Sequence, residues 1–181
     1  MDFGWTAEQQ MWRKAVRDFA QKKIAPRVRE IDSGHAIPDD IIKGMAEVGL
    51  WAPTVSEEYG GQGMSVTLAT IAAEELGRAD ISLALPVMYL VEASWGFIFD
   101  RYASPQLKQE ILPGVTAGKR FLGIATTEPG GGSDIEGVTR CRGEKQEDGS
   151  WLLNGEKLYI SGVKEAQRMG GVHMTLVRTD P

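Results

Sequence analysis

The sequence predicts an α+β chain in two regions, a helical bundle over residues 1–119 and a mainly β region over residues 120–181. Three observations predict it. Apolar residues recur at helical spacing up to Lys119. Beyond it they fall into short β-branched and aromatic runs separated by glycine-rich turns. The two patterns follow one another without alternating, so a doubly wound βαβ sheet is not expected. With 42% hydrophobic residues the chain has enough apolar side chain to bury a core.

Thr6-Ala7-Glu8-Gln9 has the form of a capping box, and Trp12, Val16, Phe19, Ala20 and Ile24 follow on one helical face. Pro26 has no N–H to donate and is expected to interrupt that helix. Pro38 suits the first turn of a second helix, with Asp39 and Asp40 at its positive end and Ile41, Ile42, Met45 and Val48 running to Gly49. APTVSEEYGGQGMS, residues 52–65, is rich in turn formers and reads as a long loop. A third helix runs from about Ser65 to Gly77, with Leu68, Ile71, Ala72 and Leu76 inward. The fourth, from about Ser82 to Tyr102, is apolar nearly all round and is expected to lie centrally. Its Glu92 must find a partner or water. Tyr89, Leu90, Glu92 and Trp95 are candidate pocket-lining residues, with packing against neighbouring helices the simpler reading. Ser104-Pro105 opens a fifth helix, with Leu107, Ile111 and Leu112 inward.

In the β region FLGIAT is the first strand. Residues 140–145 and Trp151-Leu152-Leu153 form a hairpin across Glu147-Asp148-Gly149. KLYIS, residues 157–161, and VHMTLV, residues 172–177, are further strand candidates, and Asn154-Gly155 reads as another hairpin turn. The chain stops at Arg178-Thr179-Asp180-Pro181, within what reads as a strand-to-turn transition, and so looks unfinished.

A net charge of −5 and a pI near 5.1, with no basic cluster, argue against a sequence-independent grip on nucleic acid. One cysteine, Cys141, excludes an internal disulfide and a cysteine metal cluster, and it reads as a small structural residue. His35 and His173 lie too far apart for a local metal motif and read as structural or exposed. No signal-peptide pattern and no membrane-length apolar run is seen, so the expectation is a soluble cytoplasmic protein without a membrane or metal partner.

The unusual stretch is FLGIATTEPGGGSD, residues 121–134. Its glycines let backbone approach a bulky group and present N–H donors, and its hydroxyls add short adjustable donors and acceptors. Such a loop suits an anionic, planar ligand with polar edges, a nucleotide or a flavin. A flexible turn after a strand is the simpler alternative. A dinucleotide-binding GxGxxG is absent, because the third position after Gly132 is Ile135.

FLGIATTEPGGGSD followed by WLLNGEKLYISGV closely resembles the middle-domain motifs of the acyl-CoA dehydrogenase flavoprotein family. The segments KKIAPRVREID, VGLWAPTVSEEYGGQGMS, EELGRADISLAL and SPQLKQEILPGVTAGK extend the resemblance in order over essentially the whole chain. It implies an N-terminal helical domain followed by the start of a β-barrel or β-sandwich domain, with the family's C-terminal helical domain missing here.

The resemblance also implies roles. Thr127 matches the threonine that bonds the pyrimidine edge of the flavin, with Ala125 and Thr126 supplying backbone beside it. Gly132 and Ser133 match the residues that hold the FAD pyrophosphate, and Ser133 also lies near the acyl-CoA path. Tyr159, Ile160 and Ser161 match the triplet lining the ring, with Ser161 in place of the commoner threonine and Tyr159 in place of the commoner tryptophan. Asp134 is read as a turn cap and Glu128 as a loop organiser.

The activity so implied is FAD-dependent α,β-dehydrogenation of an acyl-CoA thioester. A carboxylate base takes the α-proton, and electrons pass on to an electron-transfer flavoprotein. The family's base is a glutamate of the C-terminal domain, so no catalytic residue is assigned here. The isolated 181-residue chain is therefore expected to be inactive, and the full-length protein a homotetramer. The alternatives are an acyl-CoA oxidase or flavin monooxygenase of the same fold, or a non-catalytic assembly module.

Overall fold

The computed structural model describes residues 4–179. The capping box forms as expected. The Thr6 hydroxyl accepts from the Gln9 N–H, the Gln9 side chain accepts from the Thr6 N–H, and helix α1 spans Ala7–Lys23. Pro26 ends the run. A 3-10 turn, Ala25–Arg27, intervenes before helix α2, Val28–Gly34. Helix α3 spans Asp39–Glu47 with Pro38 as its N-cap, one place earlier than the first turn expected from sequence. The long loop follows and contains a single 3-10 turn, Glu57–Tyr59. Helices α4, Val66–Ala79, and α6, Pro105–Thr116, are capped by the Ser65 and Ser104 hydroxyls. Between them lies α5, Ala84–Tyr102.

One hydrophobic core unites these helices with the first strand. Val16, Ala20, Ile24, Ile42, Met45, Trp51, Leu76, Leu85, Tyr89 and Leu112 are buried together with Phe121 and Leu122. An ion cluster fastens α1 to α4: Glu75, almost fully buried, accepts from Arg13 Nε at 2.7 Å and from Arg17 Nε at 2.8 Å. Helix α5 packs on α2, α4, α6 and strand β1, as its apolar character suggests. It is not buried all round, however. Val87, Leu90 and Phe97 stand 44–48% exposed along one side.

Strand β1, Leu122–Ala125, lies parallel to β4, Val172–Thr175, with Gly123 opposite His173. Strands β2, Arg142–Lys145, and β3, Trp151–Asn154, form the expected antiparallel hairpin. A one-turn helix α7, Ile135–Val138, precedes β2, and helix α8, Val163–Met169, precedes β4.

Leu107, expected inward on α6, is exposed, and two expectations for the β region fail as well. KLYIS is not a strand. Its lysine turns into the loop after β1 instead of alternating across a sheet, and Tyr159 takes φ +57°, incompatible with extended pairing. Asn154-Gly155 is not a hairpin turn either. Asn154 is the last residue of β3, paired with Arg142. Gly155 lies against Cys141, where an added Cβ would come within 2.6 Å of the Cys141 Cα. The apolar residues after Ser161 follow helical spacing in α8, which the run of strand candidates concealed.

Candidate functional site

The loop after β1 is held from behind by polar contacts. Ala125 ends the strand buried, its carbonyl accepting from Leu176 N at 3.0 Å. The Thr126 carbonyl accepts from Lys157 Nζ at 3.1 Å, and the Thr127 carbonyl accepts from Leu158 N at 2.9 Å. Lys157 and Leu158 thereby lay the downstream segment against the two threonines. With their carbonyls engaged, both threonines are fixed in backbone, as a binding edge requires.

Glu128 is the hub. Its carboxylate accepts from Lys157 Nζ at 2.8 Å, Arg140 N at 2.5 Å and Cys141 N at 3.0 Å, with both Glu128 and Lys157 side chains shielded from solvent. The Lys157 hydrogen bond, followed by that from the Arg140 N–H, holds the carboxyl at about 2. The sequence reading of Glu128 as a loop organiser holds, and so does that of Asp134, which accepts from Gly137 N at 3.0 Å and caps α7.

The glycines divide into two kinds. At Gly155 and Gly162 a side chain would collide with the protein itself, within 2.6 Å of Cys141 and 2.0 Å of Phe121. At Gly130 and Gly132 the nearest neighbours of an added Cβ would be Val138 and Thr127, both at 3.7 Å, an ordinary contact. Neither has positive φ, whereas Gly131 between them has φ +144°. Only Gly131 is demanded by backbone conformation. The absence of side chains at Gly130 and Gly132 answers no need inside the described residues. It leaves bare, exposed backbone beside Thr127, continuing into the exposed Ser133.

On the second segment the Tyr159 ring is 91% exposed, Ile160 is half-buried and Ser161 is exposed. The Ser161 carbonyl lies 3.1 Å from His173 Nε2. A cavity of about 430 Å³ opens at Ser161 and Gly162, walled by Ile31, Ile37, Val87 and Met88. The candidate pocket-lining residues separate. Tyr89, Leu90 and Trp95 line a different, apolar groove between α4 and α5 of about 650 Å³. Glu92 turns to β1, where Oε1 accepts from Leu122 N at 3.0 Å and Oε2 has no partner among the described residues. Burial pushes its carboxyl well above the ordinary range. Val87 and Met88 were missed as cavity walls because helical spacing shows a face without showing what lies opposite it. Lys157 was missed because a lysine's burial leaves no trace in sequence. No cluster of three metal-ligating side chains exists among the described residues.

Fold and site together define a class: a helical domain whose core runs into a β region, with a side-chain-poor, hydroxyl-lined loop at the junction. Residues 6–119 match the family model described as "Acyl-CoA dehydrogenase, N-terminal domain", and the chain belongs to that family. It is 36% identical over 157 residues to cyclohex-1-ene-1-carbonyl-CoA dehydrogenase of Syntrophus aciditrophicus (strain SB), covering 86% of this chain and 37% of that protein. It is 33% identical over 181 residues to acryloyl-CoA reductase (NADH) of Anaerotignum propionicum, covering 100% of this chain and 44% of that one. A solved glutaryl-coenzyme A dehydrogenase–glutaryl-CoA complex superposes with a TM-score of 0.86 at 34% identity, over 99% of this chain and 45% of that chain. The chain thus spans less than half the length of these relatives.

Proposed function

We propose that this chain forms part of a flavoenzyme that oxidises an acyl-CoA thioester between its α and β carbons, with FAD seated on the loop after β1. The observation that carries the proposal is the pair Gly130 and Gly132, bare of side chains where neither φ nor packing requires it, beside two threonines fixed through their carbonyls. The residues present fit FAD. Thr126, Thr127 and the backbone of Ala125 would hold the heterocycle's polar edge, Gly132 and Ser133 the pyrophosphate, and Tyr159, Ile160 and Ser161 the ring. Bound FAD supplies the two-electron acceptor.

The chain's own part is to fix these groups in place through backbone carbonyls held by Lys157, Leu158 and His173. Thr127 and Ser161, each anchored through its carbonyl, offer hydroxyls to the developing charge, the electrostatic share of catalysis. The cavity at Ser161 receives the acyl group, and Ser133 lies along the thioester's approach. No described carboxylate is assigned as the base, since Glu128 is consumed by three donors and Glu92 faces β1. The resemblance assigns it to the family's C-terminal helical domain. On the same footing electrons pass to an electron-transfer flavoprotein, and the assembled protein is a cytoplasmic homotetramer.

The relative named acryloyl-CoA reductase favours a second reading, the same site working in the direction of saturation. Anaerobic mixing of butyryl-CoA, glutaryl-CoA or an enoyl-CoA with the FAD-loaded flavoenzyme of which this chain forms part tests both. Bleaching of the oxidised flavin band by a saturated thioester supports dehydrogenation. Reoxidation of pre-reduced flavin by the enoyl-CoA alone supports the reverse. No response to any thioester contradicts the proposal, and rapid turnover with oxygen alone points to the oxidase of the same fold.

A further inference from the structure

We propose that His173 is a positioning residue for Ser161, tethering the segment that meets the flavin ring; this rests on the reading of the site given above. The second motif enters the junction as an irregular, exposed loop. Tyr159 sits at φ +57°, outside any strand or helix, and Gly162 at φ +77° is only the N-cap of α8, its carbonyl accepting from Ala166 N at 2.8 Å. Two side chains hold the rest of the segment, Phe121 just before β1 and His173 on β4. The Phe121 ring is pressed against Gly162 so closely that a Cβ there would lie 2.0 Å from ring atoms. His173 Nε2 reaches the Ser161 carbonyl at 3.1 Å.

A carbonyl oxygen only accepts, so the bond requires a proton on Nε2, and His173 is the donor. The imidazole is placed by its strand register. His173 pairs with Gly123 of β1, and a Cβ on Gly123 would stand 2.7 Å from the ring's Cδ2 and Nε2. The half-buried imidazole therefore occupies the space that a side chain at position 123 would take. It also neighbours Phe121, with ring centroids 5.7 Å apart. Phe121, Gly123, Gly162 and His173 thus form a clamp that fixes the Ser161–Gly162 peptide from beneath and leaves the Ser161 hydroxyl exposed. Of the four, His173 alone lies outside the two sequence stretches that mark the site.

The test compares His173→Phe, which keeps a ring against Phe121 and loses the donor, with His173→Gln, which keeps an N–H donor. Hydrogen exchange in the FAD-free protein reads the tether directly. The amides of Leu158 and Ala166, which donate to the Thr127 and Gly162 carbonyls on either side of the tether, are expected to exchange about fivefold faster in H173F and at the parent rate in H173Q. Unchanged exchange in H173F overturns the inference. Flavin titration reads its purpose. H173F is expected to weaken FAD about fivefold and shift the flavin's visible spectrum, H173Q to restore both, and H173F to add little in a Ser161→Ala background. Full additivity with S161A, or a parent-like spectrum and affinity in H173F, overturns the positioning role. A parent protein that binds no FAD while its exchange responds to H173F refutes the flavin reading and leaves the tether standing.

Discussion

Two buried glutamates that accept from backbone N–H groups, Glu92 in the helical region and Glu128 in the β region, behave in opposite ways. Glu92 lies inside the helical core with one backbone donor for its two oxygens, and desolvation favours its protonated form. Glu128 in the β region receives a lysine and two backbone donors, and they keep its proton off. The difference reflects how each region is held. Glu92 lies where the helices close on apolar side chains and a charge finds little compensation, unlike Glu75 of the same region, which Arg13 and Arg17 pair. The β region has short strands with an exposed hairpin, all four residues of β3 being open to solvent. It is organised by polar loops and by glycines that let segments touch.

The largest test of that contrast is Gly162→Ala. The new methyl would meet the Phe121 ring in a backbone conformation that alanine disfavours, so a loss of about 3 kcal/mol in unfolding free energy is expected, with the damage centred on residues 159–163. A melting temperature within a degree or so of the parent's would show that glycine contact does not organise this region. Next comes Glu75→Ala, which strands Arg13 and Arg17 on α1. Because both arginines are partly exposed, about 2 kcal/mol is expected, read by denaturant titration.

The two glutamates give the pH test. Glu128 is held at about 2 against an ordinary 4.5, so its contribution is present above about pH 4.5 and is lost as pH falls toward 2. Glu92 is raised above the same ordinary value, so the folded state binds the extra proton and stability declines as pH climbs past about 4.5. Glu128→Gln should flatten the acid limb of a stability–pH profile, and Glu92→Gln the decline that sets in as pH rises above about 4.5. Interchanged effects would invert the comparison.

The same division governs what could be read from sequence. Helices announce themselves by local chemistry: the Thr6 box, the Ser65 and Ser104 caps and the break at Pro26 all stand where the residues say. The β1 strand and the β2–β3 hairpin were legible through the apolar run and the Asp-Gly turn. KLYIS misled because β-branched and aromatic residues also suit a loop whose path is set by distant partners, here Lys157 on Thr126 and Glu128 and His173 on Ser161. The parallel pairing of β1 with β4 was likewise invisible, since nothing local to Val172 records that Leu122 lies opposite. In the candidate site the hydroxyls and glycines were legible as types. Which glycines serve the fold and which leave room for something else emerged only from what surrounds each one.

That distinction also supplies the most direct test of the central claim, that the bare backbone at Gly130 and Gly132 exists for FAD. The double variant Gly130→Ala/Gly132→Ala should fold with unchanged or slightly higher stability, because its methyls meet only ordinary contacts and restrict the unfolded chain. It should bind FAD at least about tenfold more weakly in a flavin titration, a loss of about 1.4 kcal/mol. Parent-like FAD affinity in a stably folded variant would contradict the account.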